Sequence, residues 1–120
     1  MTGTRISVAD LTALLESVFV RHGCSESVAG ILAKNMALAE GDGAQSHGIF
    51  RVDGIVGSLS SGWVNGKAEP EIESAAPGML RGDGRDGFSL PVLDQARIAL
   101  MDKTRINGIA VLTIRNAHHF

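Results

Sequence analysis

Apolar residues recur at helical spacing through Leu11, Leu14, Leu15, Val18 and Phe19, one face of an amphipathic helix. Ser7-Val8-Ala9-Asp10 precedes them as a capping-box start, with a hydroxyl and a carboxylate placed to satisfy free N–H groups of the first turn. His22-Gly23 provides a C-terminal stop. A second helix is expected from Ser25, with Glu26 in its first turn and Val28, Ile31, Leu32, Met36 and Ala39 as its stripe, ending before Gly41. The short link between the two makes an antiparallel helical hairpin the expected arrangement. Ile49, Val52, Ile55, Val56 and Leu59 then predict a third helix from Ser46 or His47 to Ser61. Gly54 and Gly57 interrupt it, each at a cost of about 1 kcal/mol against alanine, which suggests close packing on another element.

Beyond Ser60-Ser61-Gly62 the helical period is lost. Trp63 to Pro70 reads as an extended crossover with a turn at Asn65-Gly66. Glu71-Ile72-Glu73-Ser74 alternates weakly like a strand, and Ala75-Ala76-Pro77-Gly78 is a turn. Met79-Leu80-Arg81 is a short strand leading into the loop Gly82-Asp83-Gly84-Arg85-Asp86-Gly87. A helix follows from Pro91, a residue suited to a first helical position, to near Lys103. Ile109-Ala110-Val111-Leu112-Thr113-Ile114, apolar on both faces, is the strongest strand and is expected to be central in its sheet.

Composition narrows the function classes. The 120 residues, 44% hydrophobic and 20% charged, suit one compact globular unit and argue against disorder. A net charge of −2 and an aromatic share of 4% leave neither a basic field nor stacking platforms, so no nucleic-acid partner is expected. No apolar run reaches membrane-spanning length and no secretory leader is legible, so no membrane is expected either. The single Cys24 excludes an internal disulfide and suits a reducing cytoplasm.

Candidate chemistry concentrates in Glu40-Gly41-Asp42-Gly43-Ala44-Gln45-Ser46-His47-Gly48-Ile49-Phe50-Arg51. On the predicted third helix, His47 and Arg51 stand four residues apart on one face. An imidazole able to trade a proton and a guanidinium able to clamp a carboxylate would then face one point, the outline of a site for a small carboxylic acid. Spacing alone also fits a capping histidine and a snorkelling surface arginine. Gly82, Gly84 and Gly87 satisfy the dinucleotide spacing, but the pattern needs to open a helix within a βαβ unit, and neither a helix start nor that unit is legible there. A flexible strand-to-helix turn is the expectation. The chain's last residues, Asn116-Ala117-His118-His119-Phe120, follow a strand directly, where ligand groups gather. Adjacent histidines on a strand point to opposite faces and no third ligand is evident, so no metal is expected.

Ser46-His47-Gly48 with Arg51, approached through an acidic glycine-rich turn, resembles the type-2 malate/L-lactate dehydrogenase family of NAD(P)-dependent oxidoreductases. His118-His119-Phe120 is similar to that family's Asn-x-His-Phe segment, His119-Phe120 being the closest pair. The doubled histidine and Ser60-Ser61-Gly62-Trp63-Val64 tilt the resemblance toward the Δ1-piperideine-2-carboxylate/Δ1-pyrroline-2-carboxylate reductase branch. The resemblance implies an α/β fold: N-terminal helices, then the start of a mixed, largely antiparallel non-Rossmann sheet with a packed helix. It divides the chain into a helical segment, residues 1–62, carrying the Ser-His-Gly motif, and the beginning of a cofactor-binding domain, residues 63–120. Family members are much longer, so the chain looks like their N-terminal portion.

The function implied is hydride transfer between NADP or NAD and a small 2-oxo, 2-hydroxy or cyclic 2-imino acid by a cytoplasmic homodimer. His47 would serve as acid/base, Ser46 would orient substrate or imidazole, and Arg51 would anchor the carboxylate. His119, Phe120 and His118 would line the cofactor. Malate, lactate and ureidoglycolate remain rival substrates. A rival from another class is a non-catalytic truncated fragment acting only as a helical docking module.

Overall fold

The computed structural model describes residues 3–119, which divide into two compact units, one ending at Trp63 and the other spanning Val64–His119. The first is helical. Helix α1 (Val8–Arg21) opens with the Ser7 hydroxyl accepting from the Asp10 N–H and donating to the Asp10 carboxylate. It closes at His22, with Gly23 in the left-handed region at φ 104°. Helix α2 (Glu26–Gly41) is capped by the Ser25 hydroxyl, which accepts from the Val28 N–H.

The two helices pack on each other through Leu11, Leu15 and Phe19 on α1 and through Val28, Ala29, Leu32, Ala33, Met36 and Ala37 on α2. Alanines at every fourth position of α2 remove bulk from one side of the seam, so a wide apolar stripe can be covered without voids. Leu14, expected in the core, is 54% exposed. Cys24 is buried beside the helix link, and burial pushes its thiol up to about 11. An unfolded chain ionises this thiol earlier, so its contribution to stability fades as pH rises from the ordinary thiol range through that value.

The expected third helix is not continuous. Residues Gln45–His47 and Ile49–Arg51 form two separate 3-10 turns, and only Val52–Ser60 is the α-helix α3. Gly48 stands between the turns with φ −99° and ψ −138°, outside helical geometry. His47 and Arg51 therefore do not share the face of one α-helix.

The second unit is a three-stranded sheet ordered β1-β2-β3 with one helix packed on it. Strands β1 (Glu71–Ala76) and β2 (Met79–Phe88) pair antiparallel around Pro77-Gly78, whereas β2 and β3 (Val111–His118) pair parallel across α4 (Ser89–Asn107). The sheet is mixed, one pair of each kind. A crossover helix between parallel strands is the βαβ unit that the sequence did not disclose. The glycines do not open its helix: α4 begins at Ser89, so Pro91 is its third residue, and the helix runs past Lys103 to Asn107, where Gly108 at φ 80° ends it.

Gly82, Gly84 and Gly87 lie inside β2, and each is required by space. A Cβ at Gly82 would overlap Val92 of α4, one at Gly84 would come within 2.7 Å of Ala117, and one at Gly87 within 2.7 Å of Ala68. The expected loop is a strand that bends. Register shifts between Asp83 and Gly87, where Arg85 and Asp86 hold positive φ of 54° and 63°, as at a β-bulge. Strand β3 starts at Val111, later than the apolar run from Ile109 suggests, and among the described residues it pairs on one side only, while β2 pairs on both.

Because Val92 is a buried β-branched side chain with one preferred rotamer in a helix, it cannot yield to a methyl group at Gly82. The substitution G82A is expected to destabilise the chain by roughly 1–3 kcal/mol, read as a lower urea midpoint at unchanged slope. G54A, where a Cβ meets open space, should not destabilise it.

Candidate functional site

The first unit carries the Ser-His-Gly segment, and its geometry follows from the two 3-10 turns. The His47 N–H closes the first turn on the Ala44 carbonyl at 3.0 Å, and the Gly48 N–H reaches the Gln45 carbonyl at 3.2 Å. The Gly48 carbonyl accepts the Arg51 N–H at 2.9 Å and so opens the second. Gly48 is thus shared by both. Within this frame the Ser46 hydroxyl lies 2.9 Å from His47 Nδ1. Whichever partner supplies the hydrogen, Nδ1 is engaged, and Nε2 is the ring nitrogen without a partner among the described residues.

Arg51 folds back on the same turn, its Nε–H donating to the Ser46 carbonyl at 2.7 Å. Both Nη groups remain without partners among the described residues, so an end-on, two-pronged grip on a carboxylate is available. Ser46, His47 and Arg51 are brought together, though by adjoining 3-10 turns and a side-chain-to-backbone bond instead of helical spacing. Ser46 and His47 are exposed and Arg51 is half-buried.

One residue of this site escaped the reading of the motif. Glu40, in the last turn of α2, accepts the Ile49 N–H at 2.7 Å through Oε1. Its side chain fills the space a Cβ on Gly48 would occupy. A usable signal was present: a carboxylate at the C-terminal end of a helix opposes the macrodipole, so an acidic residue there suggests another duty.

In the second unit His118 ends β3, half-buried, and His119 follows it, exposed. Phe120 lies outside the described residues. The His118 ring meets Phe88 edge-on, centroids 5.9 Å apart at 78°, the pair being register neighbours on β3 and β2. Just before them the strands are tied together by Asp83. Its carboxylate accepts the Arg85 N–H at 2.9 Å and both oxygens receive Asn116 Nδ2 at 3.3 Å, with Arg115 3.2 Å away. Asn116 is held at φ 49°, a conformation asparagine tolerates better than most residues. Asn116 was read in sequence as part of the segment that follows the strand, but its tie to Asp83 was not legible, because the two are distant in the chain.

A groove of about 850 Å³ over the sheet is lined by the register rows Glu71–Asp83–Arg115 and Glu73–Arg81–Thr113. Neither Ser46, His47, Arg51, His118 nor His119 lines it. Among the described residues no three His, Cys, Asp or Glu side chains cluster as metal ligands, and no helix is long and apolar enough to cross a membrane.

Comparison with known proteins gives this arrangement a context. The proteins the chain resembles are named as reductases and dehydrogenases. The chain belongs to the malate/L-lactate dehydrogenase family, whose family model matches residues 6–120. A Δ1-pyrroline-2-carboxylate/Δ1-piperideine-2-carboxylate reductase from Pseudomonas putida is 50% identical over 119 residues, which is 99% of this chain and 35% of that protein. The crystal structure of Δ1-piperideine-2-carboxylate reductase from Pseudomonas syringae pv. tomato superposes with a TM-score of 0.96 at 47% identity, covering 98% of this chain and 36% of that one. Malate dehydrogenase from Pyrococcus horikoshii OT3 superposes at 0.85 with 26% identity, covering 98% and 34%. The chain thus spans about a third of the length of the relatives it matches and corresponds to their N-terminal portion.

The Arg85 backbone N–H and then the Asn116 amide, with the Arg115 and Arg85 charges adding to them, hold the Asp83 carboxyl below the usual carboxylate range. A lowered folded pKa contributes stability above the ordinary range that is lost as pH falls through the lowered value. Thermal melts from neutral pH downward should therefore show D83N less stable than the native chain near pH 7. The difference should close as the medium becomes acidic enough to protonate Asp83. A constant difference across that range would contradict the assignment.

Proposed function

We propose that this chain is the N-terminal, substrate-holding third of an NAD(P)H-dependent oxidoreductase that reduces a cyclic 2-imino acid such as Δ1-pyrroline-2-carboxylate or Δ1-piperideine-2-carboxylate. The observation that carries the reading is identity with a named reductase of 50% sustained over 99% of the chain. Likeness of that extent also speaks against a mere docking fragment.

The chemistry of the residues suits such a substrate. Arg51, with Nε committed to the Ser46 carbonyl, offers Nη1 and Nη2 to the carboxylate, and a planar cyclic imino acid held there presents its C=N bond at a fixed distance from the anchor. His47, its Nδ1 engaged by Ser46, holds a proton at Nε2 for the ring nitrogen as the imine becomes an amine. Ser46 orients the imidazole. Neutralising the substrate anion at Arg51 and placing the proton donor beside the reacting bond are the two contributions this segment makes.

The nicotinamide cofactor, when bound, supplies the hydride. His118, half-buried at the end of β3 with its ring set edge-on against the buried Phe88, is the side chain proposed to meet the nicotinamide ring. His118, His119 and Phe120 would line that end. A pyrophosphate cradle is not part of the fit, since the glycines of β2 are taken up by packing. The whole enzyme is proposed to act in the cytoplasm as a homodimer, the lone Cys24 suiting a reducing compartment.

The test is a chimera in which this chain replaces the matching N-terminal third of the Pseudomonas putida reductase. It is assayed for NADPH and NADH oxidation with the two cyclic imino acids, pyruvate and oxaloacetate supplied separately. Turnover with the cyclic imines is expected; turnover confined to the 2-oxo acids would overturn the substrate assignment in favour of a hydroxy-acid dehydrogenase. In the same chimera R51M should raise KM for the imino acid by roughly 10- to 100-fold with little change for the cofactor. H47A should lower kcat by roughly 100-fold or more.

A further inference from the structure

Glu40 stands six positions ahead of Ser46, on a different element, yet it is joined to the turn that carries the candidate site. Three observations converge on it. Its Oε1 accepts the Ile49 N–H at 2.7 Å, a charge-assisted bond to the backbone. Its carboxyl end and Cγ occupy the place where any residue but glycine at position 48 would put a Cβ. Gly48 in turn is the one residue that both 3-10 turns share, donating to Gln45 and accepting from Arg51. A carboxylate that fixes Gly48 and Ile49 therefore fixes Ser46-His47 on one side and Arg51 on the other.

The sequence position of Glu40 agrees with this duty. In the last turn of α2 no basic residue is present, and the carboxylate faces the negative end of the helix dipole. It is retained there against local electrostatics, and the Ile49 N–H is what compensates it. Gly48 and Glu40 are complementary: the residue without a side chain makes room for the residue that needs it. Gly48 is also buried while its neighbours His47 and Ile49 are exposed, so the contact is a pinned point beneath an otherwise open segment.

We infer that Glu40 is a positioning residue for the His47/Arg51 site, acting through Gly48 and Ile49 to hold the imidazole and the guanidinium in one arrangement. The inference deepens the proposed reductase reading and rests on it for its functional consequence, whereas its structural content stands apart from any substrate. A displacement of about 1 Å in a proton donor or a carboxylate clamp is enough to cost on the order of 100-fold in rate, so a pin at the shared residue acts on both groups at once.

The experiment has two arms. In the 120-residue chain labelled with 15N, the Arg51 Nε–H resonance reports the bond to the Ser46 carbonyl, and the His47 ring nitrogens report the bond to Ser46 Oγ. Glu40→Ala and Gly48→Ala are each expected to speed exchange of the Arg51 Nε–H about tenfold or more and to shift the His47 ring nitrogens. The double variant should be no worse than either single one, because both remove the same contact. Glu40→Gln, which keeps an acceptor oxygen, should restore the native spectrum. In the chimera the two alanine variants should lower kcat/KM for the cyclic imine on the order of 10- to 100-fold, with Glu40→Gln recovering most of it.

An unchanged Arg51 signal in Glu40→Ala, or additive effects of the two alanine variants, would overturn the inference. Should Glu40→Ala fail to fold, Gly48→Ala and Glu40→Gln carry the same comparison. A native chimera that is silent on every substrate defeats the reductase reading, and the spectra of the 120-residue chain still decide the positioning role.

Discussion

The bond from the Ile49 N–H to the Glu40 carboxylate, made across a residue with no side chain, governs how the polar middle of this chain is folded. From Ser46 or His47 to Ser61 the residues have the apolar period of one helix. The chain gives that up at Gly48. The Ile49 N–H, in the first turn of that expected helix, goes to a carboxylate six residues before the Ser-His-Gly motif, and two short turns stand where the helix was expected to begin. Arg51 is thereby near enough to reach the Ser46 carbonyl. On an uninterrupted helix that carbonyl would be occupied along the axis and the guanidinium would project from the surface.

A similar exchange of regularity for placement occurs in the second unit. Strand β2 is long, but it is glycine-rich where α4 and β3 come closest, and the backbone bends between Asp83 and Gly87. The bend turns the Arg85 backbone N–H to the Asp83 carboxylate, which also accepts the side-chain amide of Asn116 and faces the Arg115 charge. The result is a braced kink directly ahead of the Phe88–His118 pair. Positive φ at Arg85, Asp86 and Asn116 is the local expense of that brace, and three such residues side by side are uncommon outside constrained sites.

Much of this was legible in the residues and some was not, and the division follows the range of the interactions. Caps at Ser7 and Ser25, the helical hairpin and the turn at Pro77-Gly78 depend on neighbours within a few positions. The motif Ser46-His47-Gly48 with Arg51 could be singled out because residue types and spacing carried a family resemblance, which the match over residues 6–120 established. The glycine triplet shows the opposite case. Its spacing imitates a dinucleotide turn, yet each glycine answers to a different partner, Val92, Ala117 or Ala68, and no local pattern could have named them.

The sequence by itself determined where α1 and α2 begin and end, which of their faces are apolar, and which residue types could hold a carboxylate and move a proton, because these depend on periodicity, capping and side-chain chemistry. Only the tertiary structure decided that His47 and Arg51 meet through broken turns, that the glycine-rich β2 is a strand pairing with both β1 and β3, and that Glu40 and Asp83 are fixed points. The physical reason is that a glycine records the absence of a side chain but not the atom that needs the space, and a carboxylate records a charge but not the N–H it will accept. Both are settled only when distant segments come into contact.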